Sequence, residues 1–264
     1  MNLEVISKQA INLVKEVGFF IHTESKKISA KDVEEKGFND FVTYVDKEAE
    51  QRLINDLRKI IPQAGFIVEE DSTQNRASDF NWIIDPIDGT TNFIHSIPVY
   101  SISVALSYKD EIVLGIVYEI NSKECFHAIR DKPAYLNENV ISVSATDTLD
   151  HSMIATGFPY NDFSRIDPYL SLFKDLMHSS RGIRRLGSAA IDLAYVACGR
   201  FDIFYEYGLK PWDVAAGSFI VKQAGGSVTD FSGKGKYLFG REIVATNNCL
   251  HSTFLEKVNK HFIS

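Results

Sequence analysis

The stretch Trp82-Ile83-Ile84-Asp85-Pro86-Ile87-Asp88-Gly89-Thr90-Thr91-Asn92-Phe93 decides how the rest of the chain is read. Its apolar opening reads as a buried strand ending at Asp85. Pro86 holds that residue extended, because the ring crowds the helical conformation of the residue before it. The turn that follows carries Asp88 round, so two carboxylates three residues apart can point into one space. Gly89 lets the backbone approach a ligand closely. Thr90 and Thr91 open a helix whose free N–H groups favour an anion such as phosphate. Taken alone, the same residues also read as a plain Asp-Pro, Asp-Gly turn between two elements.

Two other acidic segments tip that balance. Glu69-Glu70 follows an apolar strand of its own, Phe66-Ile67-Val68. If this strand neighbours the one ending at Asp85, Glu69 and Asp85 emerge at the same sheet edge. Asp213 stands at a helix start in Pro211-Trp212-Asp213-Val214-Ala215-Ala216-Gly217. Singly, the glutamates read as a solvated loop and Asp213 as a helix cap. Together the three segments are the makings of an oxygen-ligand cation site of the magnesium type, completed by water and substrate oxygens. The seven histidines form no H-x-x-x-H pair, which argues against zinc. The absence of G-x-x-x-x-G-K-[ST], G-x-G-x-x-G and G-x-S-x-G argues against an NTPase, a dinucleotide enzyme and a serine hydrolase.

Further out, the spacing of Leu3, Ile6, Ala10, Leu13, Val14 and Val17 predicts an N-terminal helix. Ala49, Leu53, Leu57, Ile60 and Ile61 predict a second, with Asp46 at its N-cap position and Pro62 ending it. Val99–Tyr108 and Ile112–Ile120 predict an antiparallel hairpin, and short strands continue to about Val143. Beyond it, Met153-Ile154-Ala155, the helix bearing Ile166, Tyr169, Phe173, Leu176 and Met177, and the helix capped by Ser188 follow in turn. A strand at Asp202–Tyr205, a helix from Trp212-Asp213 closed by Gly225-Gly226, a strand at Ile243–Thr246 and a terminal helix complete the chain. Helices and strands mix without a steady βαβ rhythm. That predicts an α+β fold, or a layered αβαβα sandwich, built as two packed halves, 1–140 and 141–264.

The 264 residues are 45% hydrophobic and 24% charged, enough to bury a large core without disulfides. Cys125, Cys198 and Cys249 are sparse and unpaired in sequence, as expected of reduced thiols in a cytoplasm. No signal-peptide pattern or membrane-spanning apolar run is evident. A formal net charge of −7 with no long basic run speaks against nucleic acid as a main partner.

These residues together resemble the inositol monophosphatase family of lithium-sensitive, magnesium-dependent phosphatases. The matching motifs are Glu69-Glu70, Asp85–Phe93 and Trp212–Gly217, in the family's order and spacing, with similarity along almost the whole chain. The resemblance implies a layered αβαβα fold, a homodimer and two or three Mg2+ ions held by Glu69, Asp85, the Ile87 carbonyl, Asp88 and Asp213. It implies that Thr90, hydrogen-bonded to Asp46, helps activate an attacking water near Glu69. It places the substrate, a phosphate monoester such as inositol monophosphate, against Asp88, Gly89, Thr90, Gly187, Ser188, Ala189 and Glu206. Departures are modest: Val68 for a glycine, Ser188 for a threonine, and Lys36 one place from the family's lysine. They leave NADP(H) 2′-phosphate, fructose 1,6-bisphosphate and 3′-phosphoadenosine phosphate open as substrates. Arg184 and Arg185 suit either a second phosphate or a surface contact. A non-catalytic regulatory protein on the same fold is the rival from another class.

Overall fold

The computed structural model describes residues 2–28, 32–37, 40–71, 73, 75–160 and 162–262, the side chains of 35–37 and 40 excepted. Helix α1 (Leu3–Glu24) leads to the hairpin β1 (Val33–Gly37) and β2 (Asp40–Thr43), then α2 (Tyr44–Ile60). A seven-stranded sheet follows: β3 (Gly65–Val68), β4 (Phe80–Asp88), β5 (Ser101–Tyr108), β6 (Glu111–Glu119), β7 (Glu124–Ile129), β8 (Ala134–Leu136) and β9 (Asn139–Ile141), interrupted only by the short α3 (Thr90–Ile94). The strands lie in chain order, β3 parallel to β4 and every later pair antiparallel.

The remaining chain runs β10 (Met153–Thr156), α4 (Ile166–Ser179), β11 (Gly182–Arg184), α5 (Ala189–Ala197), β12 (Ile203–Tyr207), α6 (Pro211–Gln223), β13 (Ser227–Thr229), α7 (Tyr237–Gly240), β14 (Glu242–Thr246) and α8 (His251–Phe262). Its strands form a second sheet in the order β11-β10-β12-β14-β13.

The period-two alternation of the strands assembles the layers. Trp82, Ile84, Ile102, Val104 and Leu106 join the core beneath α1 and α2, while Ile83, Ala105 and Val117 face α5 and α6. In the second sheet Ala155, Phe204, Ile243 and Ala245 face α5 and α6 from the other side. Ile154, Ile203, Tyr205 and Val244 pack beneath α4 and α8. Helix pair, sheet, helix pair, sheet, helix pair: this is an α+β layered sandwich, as expected.

The central helices lie close. A Cβ on Gly115 of β6 would sit 2.7 Å from the Ala216 carbonyl oxygen, and one on Gly217 would sit 2.6 Å from Leu193 Cβ. These glycines set how near α6 comes to the first sheet and to α5.

Two expectations are corrected. The strand through Ile84 does not end at Asp85 but continues to Asp88. Its pairing shifts, so Asp85 lies opposite Ser103 and Asp88 opposite Ser101, three steps on β4 against two on β5. The extra residue is a β-bulge, and Pro86 fits within it because it has no N–H to lose from the ladder. Secondly, Asp46 is not the N-cap of α2. Thr43 is, its Oγ1 accepting from Val45 N–H at 3.1 Å, and Asp46 is the third helical residue, accepting from Thr43 N–H at 2.8 Å. This reciprocal arrangement satisfies two donors a helix start otherwise leaves free.

The close approach at Gly115 predicts that Gly115→Ala destabilises the fold by about 2–3 kcal/mol, because backbone cannot yield as a side-chain tip does. The shift in urea midpoint measures it.

Candidate active site

The parallel register of β3 and β4 pairs Val68 with Ile84, so Glu69, just past the end of β3, comes beside Asp85 within β4. Asp85 has the parity of Ile83 and points toward the central helices. Without the bulge Ile87 would share that face, but Ile87 is buried in the core under α1 and α2, and Asp88 takes the central face instead. Asp88 Oδ2 accepts from Ser188 Oγ–H at 2.6 Å and from Ala190 N–H at 2.7 Å, at the start of α5. Asp213 Oδ2 accepts from Lys210 N–H at 2.7 Å, which fixes it in the first turn of α6. The capping role and a place in the carboxylate cluster are therefore compatible. Ser103 Oγ–H donates to the Trp212 carbonyl at 2.9 Å, tying β5 to that same turn.

Gly89 has a φ of 100°, and a Cβ there would lie 3.1 Å from the Val99 carbonyl and 3.2 Å from that of Gly187. Gly187, with a φ of 90°, meets it from the other half of the chain. Asn92 clamps the two turns, its Nδ2 donating to the carbonyls of Val99 at 2.7 Å and Leu186 at 2.8 Å. Thr90 Oγ1 lies 3.2 Å from Asp46 Oδ1 and 2.9 Å from the Ile87 carbonyl oxygen.

A cleft of about 380 Å³ gathers these groups. Glu69, Asp85, Ile87, Asp88, Gly89, Thr90, Gly187, Ser188, Ala189, Glu206 and Asp213 line it. Asp46 sits behind Thr90. The metal, catalytic and substrate residues named from the sequence are thus at this one place; Arg185 also lines the cleft, Arg184 is exposed outside it, and Lys36 has its side chain outside the described residues.

Among the described residues, seven carboxylates line the cleft against three cations, Arg185, Lys210 and Arg241. Burial, and then the charges of Glu69, Asp88 and Asp213, push Asp85 well above the ordinary carboxylate range. Asp85 hydrogen-bonds both Glu69 and Asp213. Burial also raises Asp213, Asp88 and Asp46, the last two against hydrogen bonds that favour their charged forms. Among the described residues no three His, Cys, Asp or Glu side chains close around one point as a finished ligand set. The donor set is nonetheless all oxygen, crowded and short of positive charge. Residues of this kind fit a hard divalent cation, whose charge offsets the burial and mutual repulsion that raise these carboxyls.

The family model for the inositol monophosphatase family matches residues 2–262. The chain belongs to the inositol monophosphatase family. A relative from Pseudomonas aeruginosa named Nus factor SuhB is 38% identical over 257 residues, 96% of this chain and 95% of its own. The extragenic suppressor protein SuhB of Bartonella henselae superposes with a TM-score of 0.91 at 36% identity over 98% of both chains. The Thermotoga maritima IMPase does so with a TM-score of 0.86 at 37% identity over 95% of both. Members of this family depend on metal ions.

Besides the cleft cations Lys210 and Arg241, three residues that shape the site escaped the sequence reading. Glu50, buried on α2 one turn beyond Asp46, accepts from the N–H groups of Glu70 at 2.8 Å and Asp71 at 2.7 Å, and so holds the loop that carries Glu69. Asp192 lines the cleft one turn into α5. Gly157 leaves room for Glu206, since a Cβ there would fall on the Glu206 carboxylate. The first two had a signal: each is a charge on an apolar helix face, Glu50 between Ala49 and Leu53, Asp192 between Ile191 and Leu193. Gly157 had none, because its neighbour lies in a strand about fifty residues away.

Burial raises Glu50 to about 7, against the two backbone donors. Between about 4.5 and about 7 the folded chain therefore keeps a proton that the unfolded chain has released, and this group's contribution to stability falls as pH rises through that window. Glu50→Gln removes that slope. In EDTA, the urea midpoint of the wild type relative to the variant is expected to be higher at pH 5 than at pH 8. Gly157→Ala should move only the flexible Glu206 tip. We expect melting within about 2 °C of wild type by scanning calorimetry.

Proposed function

We propose that the protein is a phosphatase that hydrolyses inositol monophosphate to inositol and phosphate in the cytoplasm. The observation carrying this reading is the pair Asp85 and Asp88 on one face of β4, flanked by Glu69 and Asp213, beside the turn at Gly89 that opens α3. Negative side chains there can hold cations, and the turn at Gly89 brings backbone N–H groups to the cleft for phosphate oxygens.

We take the cations to be Mg2+, two or three in number, held by Glu69, Asp85, the Ile87 carbonyl, Asp88 and Asp213. When bound, they supply an acidified water and positive charge opposite the phosphate and the leaving oxygen. The chain's own residues do the rest. Thr90, held by Asp46, orients the attacking water, and Glu69 accepts its proton. The water oxygen forms a bond to phosphorus as the bond to the ester oxygen breaks, and that oxygen takes a proton from a solvent water and leaves as the free alcohol. Gly89 and Thr90 fix the phosphate end, and Gly187, Ser188, Ala189 and Glu206 the alcohol end. Uncatalysed monoester hydrolysis is so slow that these parts together must lower the barrier by about 20 kcal/mol or more.

A homodimer is favoured by the exposed apolar side chains of Phe163, Leu170 and Met177 along one flank. The relatives named Nus factor favour a second role beside catalysis, and the exposed surface leaves room for one.

A panel of inositol 1-phosphate, NADP, fructose 1,6-bisphosphate and 3′-phosphoadenosine phosphate tests the proposal through phosphate release with and without magnesium. Inositol 1-phosphate should give the highest kcat/KM, only with magnesium. Asp85→Asn should lower kcat by about a thousandfold or more while keeping the fold. Retained turnover in that variant at saturating magnesium refutes the ligand assignment. Release from none of the four compounds leaves the Nus-factor reading in its place.

A further inference from the structure

Asp192 is a buried carboxylate that the fold does not use. It is 1% exposed, and its Oδ1 has no hydrogen-bond partner among the described residues. The rest of the first two turns of α5, Ala189, Ala190, Ile191, Leu193 and Ala194, is buried and apolar. An alanine at 192 would suit that packing, and an unpaired buried carboxyl opposes folding. Such a group persists where something outside the fold completes it.

Its surroundings say what that is. Asp192 lines the cleft one helical turn beyond Ser188, whose hydroxyl holds Asp88. The charged groups facing it are Glu206 from β12, Asp88 from β4 and Arg185 from the segment before α5. Arg185 is exposed, and its Nη2 already donates to Tyr160 Oη at 2.8 Å. This end of the cleft therefore offers oxygen acceptors in excess of donors. Hydroxyl groups supply the missing donors, whereas a second phosphate would meet Asp192 and Glu206 with one exposed guanidinium to offset them.

We infer that Asp192 is a specificity-determining residue: with Glu206 it takes hydroxyls of a polyol leaving group and disfavours leaving groups that carry a second phosphate. The inference rests on the phosphatase reading above and narrows its substrate class to monophosphates of neutral polyols.

The test compares wild type, Asp192→Asn and Asp192→Ala on inositol 1-phosphate, 4-nitrophenyl phosphate and fructose 1,6-bisphosphate, with melting temperatures measured in parallel. For Asp192→Ala, KM for inositol 1-phosphate should rise about tenfold with kcat within about twofold, from the loss of one hydrogen bond. The hydroxyl-free 4-nitrophenyl phosphate should be turned over as by wild type. Fructose 1,6-bisphosphate should improve relative to inositol 1-phosphate. Asp192→Asn, which keeps one acceptor, should fall between. The melting temperature of the alanine variant should equal or exceed that of wild type. An equal loss on inositol 1-phosphate and 4-nitrophenyl phosphate with a lower melting temperature would show a scaffold role and overturn the inference. So would an unchanged KM for inositol 1-phosphate. If the wild type hydrolyses none of the three, the phosphatase reading falls by itself. Inositol 1-phosphate binding, followed by ligand-observed NMR, then decides Asp192: equal binding by Asp192→Ala and wild type overturns its role.

Discussion

A single extra residue in β4 is the constraint on which the site depends. In a regular strand, residues three apart face opposite sides, so Asp85 and Asp88 would point into different layers. The bulge across Pro86 and Ile87 turns Ile87 into the outer core and brings Asp88 back to the face of Asp85. Both carboxylates then look into the space between the first sheet and the central helices. The parallel pairing of β3 brings Glu69 beside them, and the first turn of α6 brings Asp213. Four acidic groups from three segments thus meet because one ladder slips by one residue.

That convergence works against folding stability. Burial and mutual repulsion raise the carboxyls of Asp85, Asp88 and Asp213, and the surrounding structure must hold them in place. It does so with backbone donors: Ala190 for Asp88, Lys210 for Asp213, Glu70 and Asp71 for the glutamate that braces the loop. The starts of α5 and α6 both open on the cleft, where their N–H groups and dipoles favour negative charge. The same feature that tolerates the carboxylates also suits a phosphate. Glycines at 89, 157 and 187 keep the cleft open, each where a methyl group would collide with backbone or with another site residue.

The cleft also has a polarity along its length. At one end, clustered carboxylates and helix starts address a cation and a phosphate. At the other, Glu206 and Asp192 form a buried acceptor-rich wall.

The sequence by itself determined most of the elements and the chemistry of the site. Local periodicity sufficed for α1, α2, the β5–β6 hairpin and the capping of α5 by Ser188, because hydrophobic spacing and capping are short-range signals. The D-P-I-D-G-T-T motif, the paired glutamates and W-D-V-A-A-G marked the residues that gather at the cleft. Short edge strands such as β11 and β13 were not legible, since three residues carry too little pattern. The bulge was not legible either, because a slip in pairing is a relation between β4 and β5 and belongs to neither alone. Glu50 and Asp192 showed as charges in apolar helices, but only packing shows that one braces a loop and the other faces the cleft. Which glycines matter, where Asp88 points and what surrounds Asp192 depend on groups distant in sequence, and the tertiary structure alone brings those groups together.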